Sequence, residues 1–348
     1  MSNTKNENPP TNPTTSLMQL VTAFKVSRAI FVATVLGIPD LLASGPQSIF
    51  ELATATKAHL QSLGRLMRAL CAFGIFTEID PDRFELAPMG SLLRSDVPGS
   101  MRARVLFNAG DTGWRIWGDL MFSIQTGEAA FEHVLGMQTF DYWASHPEEA
   151  AIHDESMAAT SALVAGSVLD RYDFSAFRTI VDVGGGTGLL LAEILAAHPK
   201  LRGILFDLPH VVAGAREVIK SRKVLDRSGI ESGSFFDSVP QGSDCYLLKY
   251  VIHDWDDARA DTILANCRKA MQVSSTLLII DHVLPDRPVQ GHLTPGYIID
   301  LEMLLRTPGG RERTEQEFRV LLYRAGFELK RVLSTTSPLS IVEALPRA

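Results

Sequence analysis

The sequence predicts an α/β protein: a mainly parallel sheet with helices on both faces and a terminal antiparallel hairpin, preceded by a mainly helical block of winged-helix type. Three observations carry this. From Thr179 onward, strand-like and helix-like runs alternate, the pattern of a parallel sheet covered on both faces. Within that region a glycine-rich turn, Val181-Asp-Val-Gly-Gly-Gly-Thr-Gly188, follows a strand and opens a helix. Ahead of it, apolar residues at three- and four-residue spacing give way to strand, turn and strand.

Composition narrows the class. The chain has 348 residues, room for about two domains. With 46% hydrophobic and 21% charged residues it is neither collagenous, coiled-coil nor broadly disordered. A net charge of −7 disfavours a binder of nucleic-acid phosphates. No uninterrupted apolar run reaches the ~18 residues of a membrane span, so no membrane attachment is expected. Cys71, Cys245 and Cys267 are too few and too scattered for a disulfide framework or a CxxC metal site, and a cytoplasmic setting is expected.

Residues 1–15 are polar and proline-rich and read as a disordered tail without signal-peptide features. Residues 16–100 read as the winged-helix-like block. Leu17, Leu20, Val21, Phe24, Ile30 and Leu36 fall at helical spacing, and Gly37-Ile-Pro-Asp40 breaks the run. Ser48-Ile-Phe-Glu51 reads as a capping box. Helical spacing resumes through Leu63, Leu66, Leu70 and Phe73, and Gly74 stops it. Phe76–Ile79 and Arg83–Leu86 then read as a hairpin about Asp80-Pro-Asp82. A winged helix raises the question of DNA. Between Gln47 and Arg94 five basic residues balance five acidic ones, where a DNA reader needs a basic face, so packing against a second copy is the better expectation.

Residues 101–170 read as helices carrying Trp114, Trp117, Phe131, Phe140, Trp143 and Met157. Most are core. Their density also suits the walls of a pocket for a flat apolar ligand. Residues 171–348 form the alternating region, with strands at 179–183, 201–206, 244–248 and 275–280 and helices at 189–197, 211–221, 256–271 and 314–325. Residues 327–333 and 340–343 read as the closing hairpin.

The glycine turn carries chemistry. Glycines at 184, 186 and 188 give G-x-G-x-G, and Leu189 occupies the slot where a dinucleotide fingerprint needs Gly or Ala. Asp207 ends the next strand, where a carboxylate accepts both ribose hydroxyls and repels a 2′-phosphate. Together they point to an adenosine-bearing ligand. No H-x-H, HExxH or carboxylate cluster of ligand spacing is present, so no metal is expected.

From the turn outward, the chain resembles the class I S-adenosylmethionine-dependent O-methyltransferases of the small-molecule type, those of caffeic acid, hydroxyindoles and bacterial natural products. The matching blocks are VDVGGGTG (181–188), FDLP (206–209), LLKYVIHDWDD (247–257), DHVLP (281–285) and PGGRERTEQEF (308–318). The resemblance implies a Rossmann-like methyltransferase sheet, an N-terminal dimerisation domain and a homodimer. It implies S-adenosylmethionine as methyl donor, S-adenosylhomocysteine as product, and a small aromatic hydroxyl as acceptor. Gly184, Gly186, Asp207 and Leu208 would hold the cofactor, with Asp182 behind them and Lys249 nearby. Ser234 stands where the family has the acid that bonds adenine, and Phe235 where it has the methionine that packs on it. Asn108, Met157, Trp255 and Met303 would contact the acceptor, with Trp255 and Asp254 also fixing a helix start.

His253 is the expected general base. It follows a strand at the edge where doubly wound sheets bind ligands, and a phenol of pKa ~10 needs its proton removed at neutral pH. The resemblance implies two acids beside it, Asp281 and Glu312, and leaves open which orients the imidazole. His59, His146, His198 and His210 read as structural; His133, His153, His282 and His292 are undecided. The same fold drifted to C-methylation, hydroxylation or cofactor-assisted cyclisation is the alternative.

Overall fold

A computed structural model describes residues 12–288 and 294–347. Residues 1–11 of the expected tail and His292 lie outside them. The chain divides into two compact units, Met1–Trp114 and Arg115–Ala348.

In the first unit, α1 (Pro13–Val35) begins inside the stretch expected to be a tail. Asn12 explains the early start: its side chain accepts the Thr14 N–H at 2.9 Å, and Pro13 takes the first helical position, where no N–H is needed. By length and composition α1 could cross a membrane, at mean hydropathy 1.3, although no uninterrupted apolar run within it is that long. Polar residues are interspersed along it, while Leu17, Leu20, Val21 and Phe24 lie exposed. The capping box forms as expected on α2 (Ile49–Thr56), with Glu51 accepting the Ser48 N–H at 2.7 Å. α3 (Leu60–Ala72) leads into the hairpin of β1 (Phe76–Asp80) and β2 (Arg83–Leu86), which also pairs with Gln47–Ser48. Ile38, Leu52, Met67, Leu70, Phe76 and Phe84 form the core. α4 (Arg102–Ala109) packs on α1.

The second unit is built on a seven-stranded sheet. Short helices lead to α5 (Pro147–Arg171). Then follow β3 (Thr179–Val183), α6 (Leu189–Ala197), β4 (Arg202–Asp207), β5 (Ser228–Ser232), β6 (Cys245–Lys249), α7 (Asp257–Ala270), β7 (Thr276–Asp281), α8 (Pro295–Arg306), α9 (Glu315–Arg324), β8 (Phe327–Ser334) and β9 (Ser340–Pro346). The order is β8-β9-β7-β6-β3-β4-β5. The five strands from β7 to β5 are parallel, and β9 and β8 add the antiparallel hairpin. β3, β6 and β7 are almost wholly buried and mostly apolar because helices cover both faces. α7 and α9 pack with one face, α5 and α6 with the other. The helix expected at 211–221 is broken by a turn at Ala213-Gly214 into Pro209–Val212 and Ala215–Ser221.

Candidate active site

β3 sits between β4 and β6, so the chain leaves β3 toward one edge of the sheet and β6 carries the other half. Such a switch point opens a crevice at the C-terminal strand ends. Two turns meet that edge: 184–188 after β3 and 250–254 after β6.

The first turn needs its glycines. Gly184, Gly186 and Gly188 all have positive φ, at 69°, 60° and 76°. A Cβ on Gly184 would come within 2.7 Å of Val251 Cγ2, so this glycine lets the two turns touch. A Cβ on Gly186 would meet nothing within 4 Å: that side of the loop is open. Asp207 accepts the Gly186 N–H at 2.8 Å and the Leu208 N–H at 2.7 Å. Burial raises its pKa against those two bonds. Below the loop, Asp182 is 1% exposed and neither carboxylate oxygen has a hydrogen bond among the described residues. Burial raises it to about 7; Lys249 pulls it down and Asp207 pushes it up.

The second turn holds His253, 6% exposed. Its Nδ1 meets Glu312 Oε1 at 2.7 Å, and its Nε2 lies 3.6 Å from Asp254 Oδ1. Glu312 is itself buried, its N–H donated to Asp300 at 2.8 Å. Of the two acids the sequence offered, Glu312 reaches the imidazole. Asp281 instead accepts the Tyr250 N–H at 2.9 Å, and its second oxygen has no hydrogen bond among the described residues. Burial would lower the His253 pKa, but Glu312, Asp254 and, least of the three, Asp281 outweigh it and raise the group to about 10. Burial likewise lifts Asp281 to about 7.

An O-methyltransferase domain model matches residues 117–328, and an O-methyltransferase dimerisation domain model matches residues 18–96. The chain belongs to the O-methyltransferase family. It is 44% identical over 332 residues to the phenazine O-methyltransferase PhzM of Lysobacter antibioticus, covering 95% of each chain. A crystal structure of LaPhzM superposes with a TM-score of 0.92 at 43% identity, over 96% of this chain and 100% of that one. An O-methyltransferase of neocarzinostatin biosynthesis (NcsB1), in complex with S-adenosylmethionine and 2-hydroxy-5-methyl naphthoic acid, gives 0.77 at 32% identity, over 92% and 96%.

The other residues singled out in this O-methyltransferase fall into two groups. Phe235 lies at the glycine loop, its Cε1 3.5 Å from where a Gly184 Cβ would be, and packs edge-on to Trp255 with ring centroids 6.2 Å apart. The Ser234 hydroxyl is engaged at home, accepting the Phe236 N–H at 3.2 Å. Leu208 is exposed beside Asp207, and Lys249 ends β6. Trp255 stacks on Phe140 at 5.5 Å, and its indole N–H has no hydrogen bond among the described residues. Met303 is buried on α8 and Met157 half-buried on α5. Asn108 lies in the first unit, exposed on α4. Its side-chain amide donates to the Arg104 carbonyl at 2.8 Å, and it lines a cavity of about 790 Å³ between α1 and α4. No group of three His, Cys, Asp or Glu side chains suited to a metal occurs among the described residues.

Three functional supports escaped the sequence. Gly310 lets the 308–312 loop lie against the histidine turn: Arg311 N–H donates to the His253 carbonyl at 2.8 Å, and a Cβ on Gly310 would fall 2.6 Å from that oxygen. Arg313, 1% exposed, donates to the Ile252 and Trp255 carbonyls at 3.0 and 2.9 Å. Asn266 donates to the Phe235 and Phe236 carbonyls at 3.0 and 2.8 Å. The first two lie in the PGGRERT run, which marks the segment but not what it packs against; Asn266 sits in a helix with no local signal at all.

Proposed function

We propose that this chain transfers a methyl group from S-adenosylmethionine to a hydroxyl of a small, planar aromatic acceptor, with His253 as general base. The carrying observation is the buried His253–Glu312 pair at the C-terminal edge of the sheet. Glu312 on Nδ1 fixes the tautomer and leaves Nε2 for the acceptor hydroxyl. General-base help of this kind is worth roughly 10²–10⁴-fold.

The residues fit the cofactor. The open face of Gly186 admits a close-lying ligand, and the Asp207 carboxylate, part-exposed with two backbone bonds, keeps lone pairs for ribose hydroxyls. Asp182 is a buried acid beside Lys249 at the base of the loop. Phe235 offers a ring face or edge to adenine in place of the expected methionine. When bound, the cofactor supplies a methyl group on a positively charged sulfur; the chain supplies alignment and a proton acceptor.

The name of the 44% identical relative, and the naphthoic acid bound by the 32% identical one, support a fused-ring acceptor, with a hydroxyphenazine first. We further propose a homodimer formed through the first unit, in keeping with its dimerisation-domain match.

Calorimetry with S-adenosylhomocysteine tests the cofactor half. Micromolar binding, about −8 kcal/mol, is expected, and Asp207→Ala should weaken it about 10- to 100-fold, the worth of hydrogen bonds to a charged group. No heat with the wild-type chain would remove the assignment. Incubation with S-adenosylmethionine and 1-hydroxyphenazine, read by mass spectrometry, tests the acceptor half: a methyl gain supports it, and unchanged hydroxyphenazine removes that acceptor.

A further inference from the structure

Tyr250 is where the histidine turn is strained. Four non-glycine residues among those described have positive φ: Lys57, Asp82, Lys223 and Tyr250. The first three are exposed turn residues. Tyr250 is the aromatic one, half-buried with φ 55°, three residues before His253. A bulky side chain in that region persists only when its surroundings over-determine it.

The surroundings are specific. The Tyr250 N–H is shared between the Ile280 carbonyl at 3.2 Å and Asp281 Oδ1 at 2.9 Å. Asp281 is fully buried at the end of β7, so it ties the strained turn to the strand beside it. The Tyr250 ring then lies against the imidazole of His253, centroids 5.0 Å apart and planes 27° apart. Glu312 holds the same imidazole by its Nδ1 edge. A ring pinned at one edge still rocks about that bond. A second ring on its face removes that freedom.

We infer that Tyr250 is a positioning residue for His253, and that Asp281 acts on the base through the Tyr250 backbone. This rests on the reading of His253 as the base. It changes what Asp281 is for. An acid working through charge on the imidazole needs its carboxylate; an acid pinning a backbone N–H needs only an acceptor oxygen.

The experiment uses the full chain with S-adenosylmethionine and 1-hydroxyphenazine, beside direct NMR titration of the His253 imidazole, which needs no acceptor. Tyr250→Gly keeps the left-handed turn and removes the ring. It should lower kcat at least 10-fold, leave the KM for S-adenosylmethionine within 2-fold, and shift the His253 titration. Tyr250→Phe retains the ring and should stay within 3-fold of wild type. Asp281→Asn retains an acceptor oxygen and should also stay within 3-fold, whereas Asp281→Leu should resemble Tyr250→Gly. Should Tyr250→Gly not fold, Tyr250→Asn, which tolerates the same φ, stands in for it. A ring-less variant with wild-type kcat and an unmoved imidazole titration overturns the inference. So does an Asp281→Asn defect as deep as that of Asp281→Leu, because the carboxylate charge would then be what matters. His253→Ala separates the two levels: if it turns over normally, the base assignment fails, while the NMR titration still tests whether Tyr250 positions the ring. If 1-hydroxyphenazine is not methylated, the NMR arm decides alone.

Discussion

At the scale of single residues, the chemistry concentrates on one proton. On the proposed function, a phenol of pKa ~10 would give its proton to an imidazole whose own pKa is raised to about 10, chiefly by Glu312 and Asp254, against the opposing effect of burial. The match makes proton transfer nearly thermoneutral, but at pH 7 the free base is mostly protonated. The rate should therefore climb as pH rises: kcat/KM is expected to increase about tenfold per pH unit between 7 and 9 and to level off near 10. A bound sulfonium adds positive charge, which favours loss of the imidazolium proton and brings the rise to lower pH in kcat. Glu312→Gln removes the largest raising charge, so its profile should move to lower pH while its plateau falls for want of a fixed tautomer. A pH–rate series on both proteins checks this, and a Glu312→Gln profile unmoved or moved upward contradicts it. His253→Ala should cost at least ~10²-fold in kcat while leaving S-adenosylhomocysteine affinity unchanged. The blocks that carry His253, Asp281 and Glu312 were legible in the sequence, but it left open which of the two acids meets the imidazole. Tyr250 and the Asp281–Tyr250 bond were not, since a backbone dihedral and a side chain's choice between two neighbours are settled only when β6 and β7 lie side by side.

At the scale of elements, the site depends on how two loops are pressed together. The 308–312 loop lies on the histidine turn through Gly310, and Arg313 binds the turn's carbonyls from beneath. Gly310→Ala would place a methyl 2.6 Å from the His253 carbonyl oxygen and 2.1 Å from Thr307 Oγ1. The loop must then lift, at a cost of roughly 1–3 kcal/mol, and Glu312 is carried off Nδ1. Activity should fall more than stability. Comparing kcat with the melting temperature tests this; a variant that melts early but turns over normally contradicts it. Arg313→Ala removes the guanidinium donor from the Ile252 and Trp255 carbonyls and from the Asp257 carboxylate, although Asp257 keeps Arg311 and Arg324 and the Ile252 carbonyl keeps the Trp255 N–H. It should cost about 3 kcal/mol, or roughly 6–12 °C in melting temperature for a unit of this size. The elements themselves were largely readable because buried parallel strands are written as apolar runs. β5 was not: it is an edge strand, mostly exposed, and Ile230 is its one large apolar residue. Pairing on one side with β4 makes it a strand, and that partner is invisible from within Ser228–Ser232.

At the scale of the whole molecule, the first unit carries apolar surface that its own core does not use. α1 has two fully buried residues, Ala33 and Thr34, in 23, while Leu20 is 76% exposed and Phe24 50%. Such an array on one helix exceeds the scattered apolar exposure of ordinary surfaces. The same helix borders the cavity between α1 and α4, lined by Val26, Ile30, Phe73, Met101 and Val105. A two-fold pairing of copies would place one patch against its own image, the commonest way soluble chains associate. The neutral wing makes nucleic acid a poor alternative occupant. A membrane is the rival raised by the length and apolarity of α1. Two measurements separate these. Light scattering should give a particle of twice 38.1 kDa, and the double substitution Leu20→Glu with Phe24→Glu should return it to one copy without lowering the melting temperature of the second unit, because both side chains are exposed in the single chain. Flotation with neutral lipid vesicles should leave the wild-type chain behind. A 38.1 kDa wild-type particle that floats with the vesicles would assign α1 to the bilayer instead, and the apolar face would then be an anchor with no part in pairing.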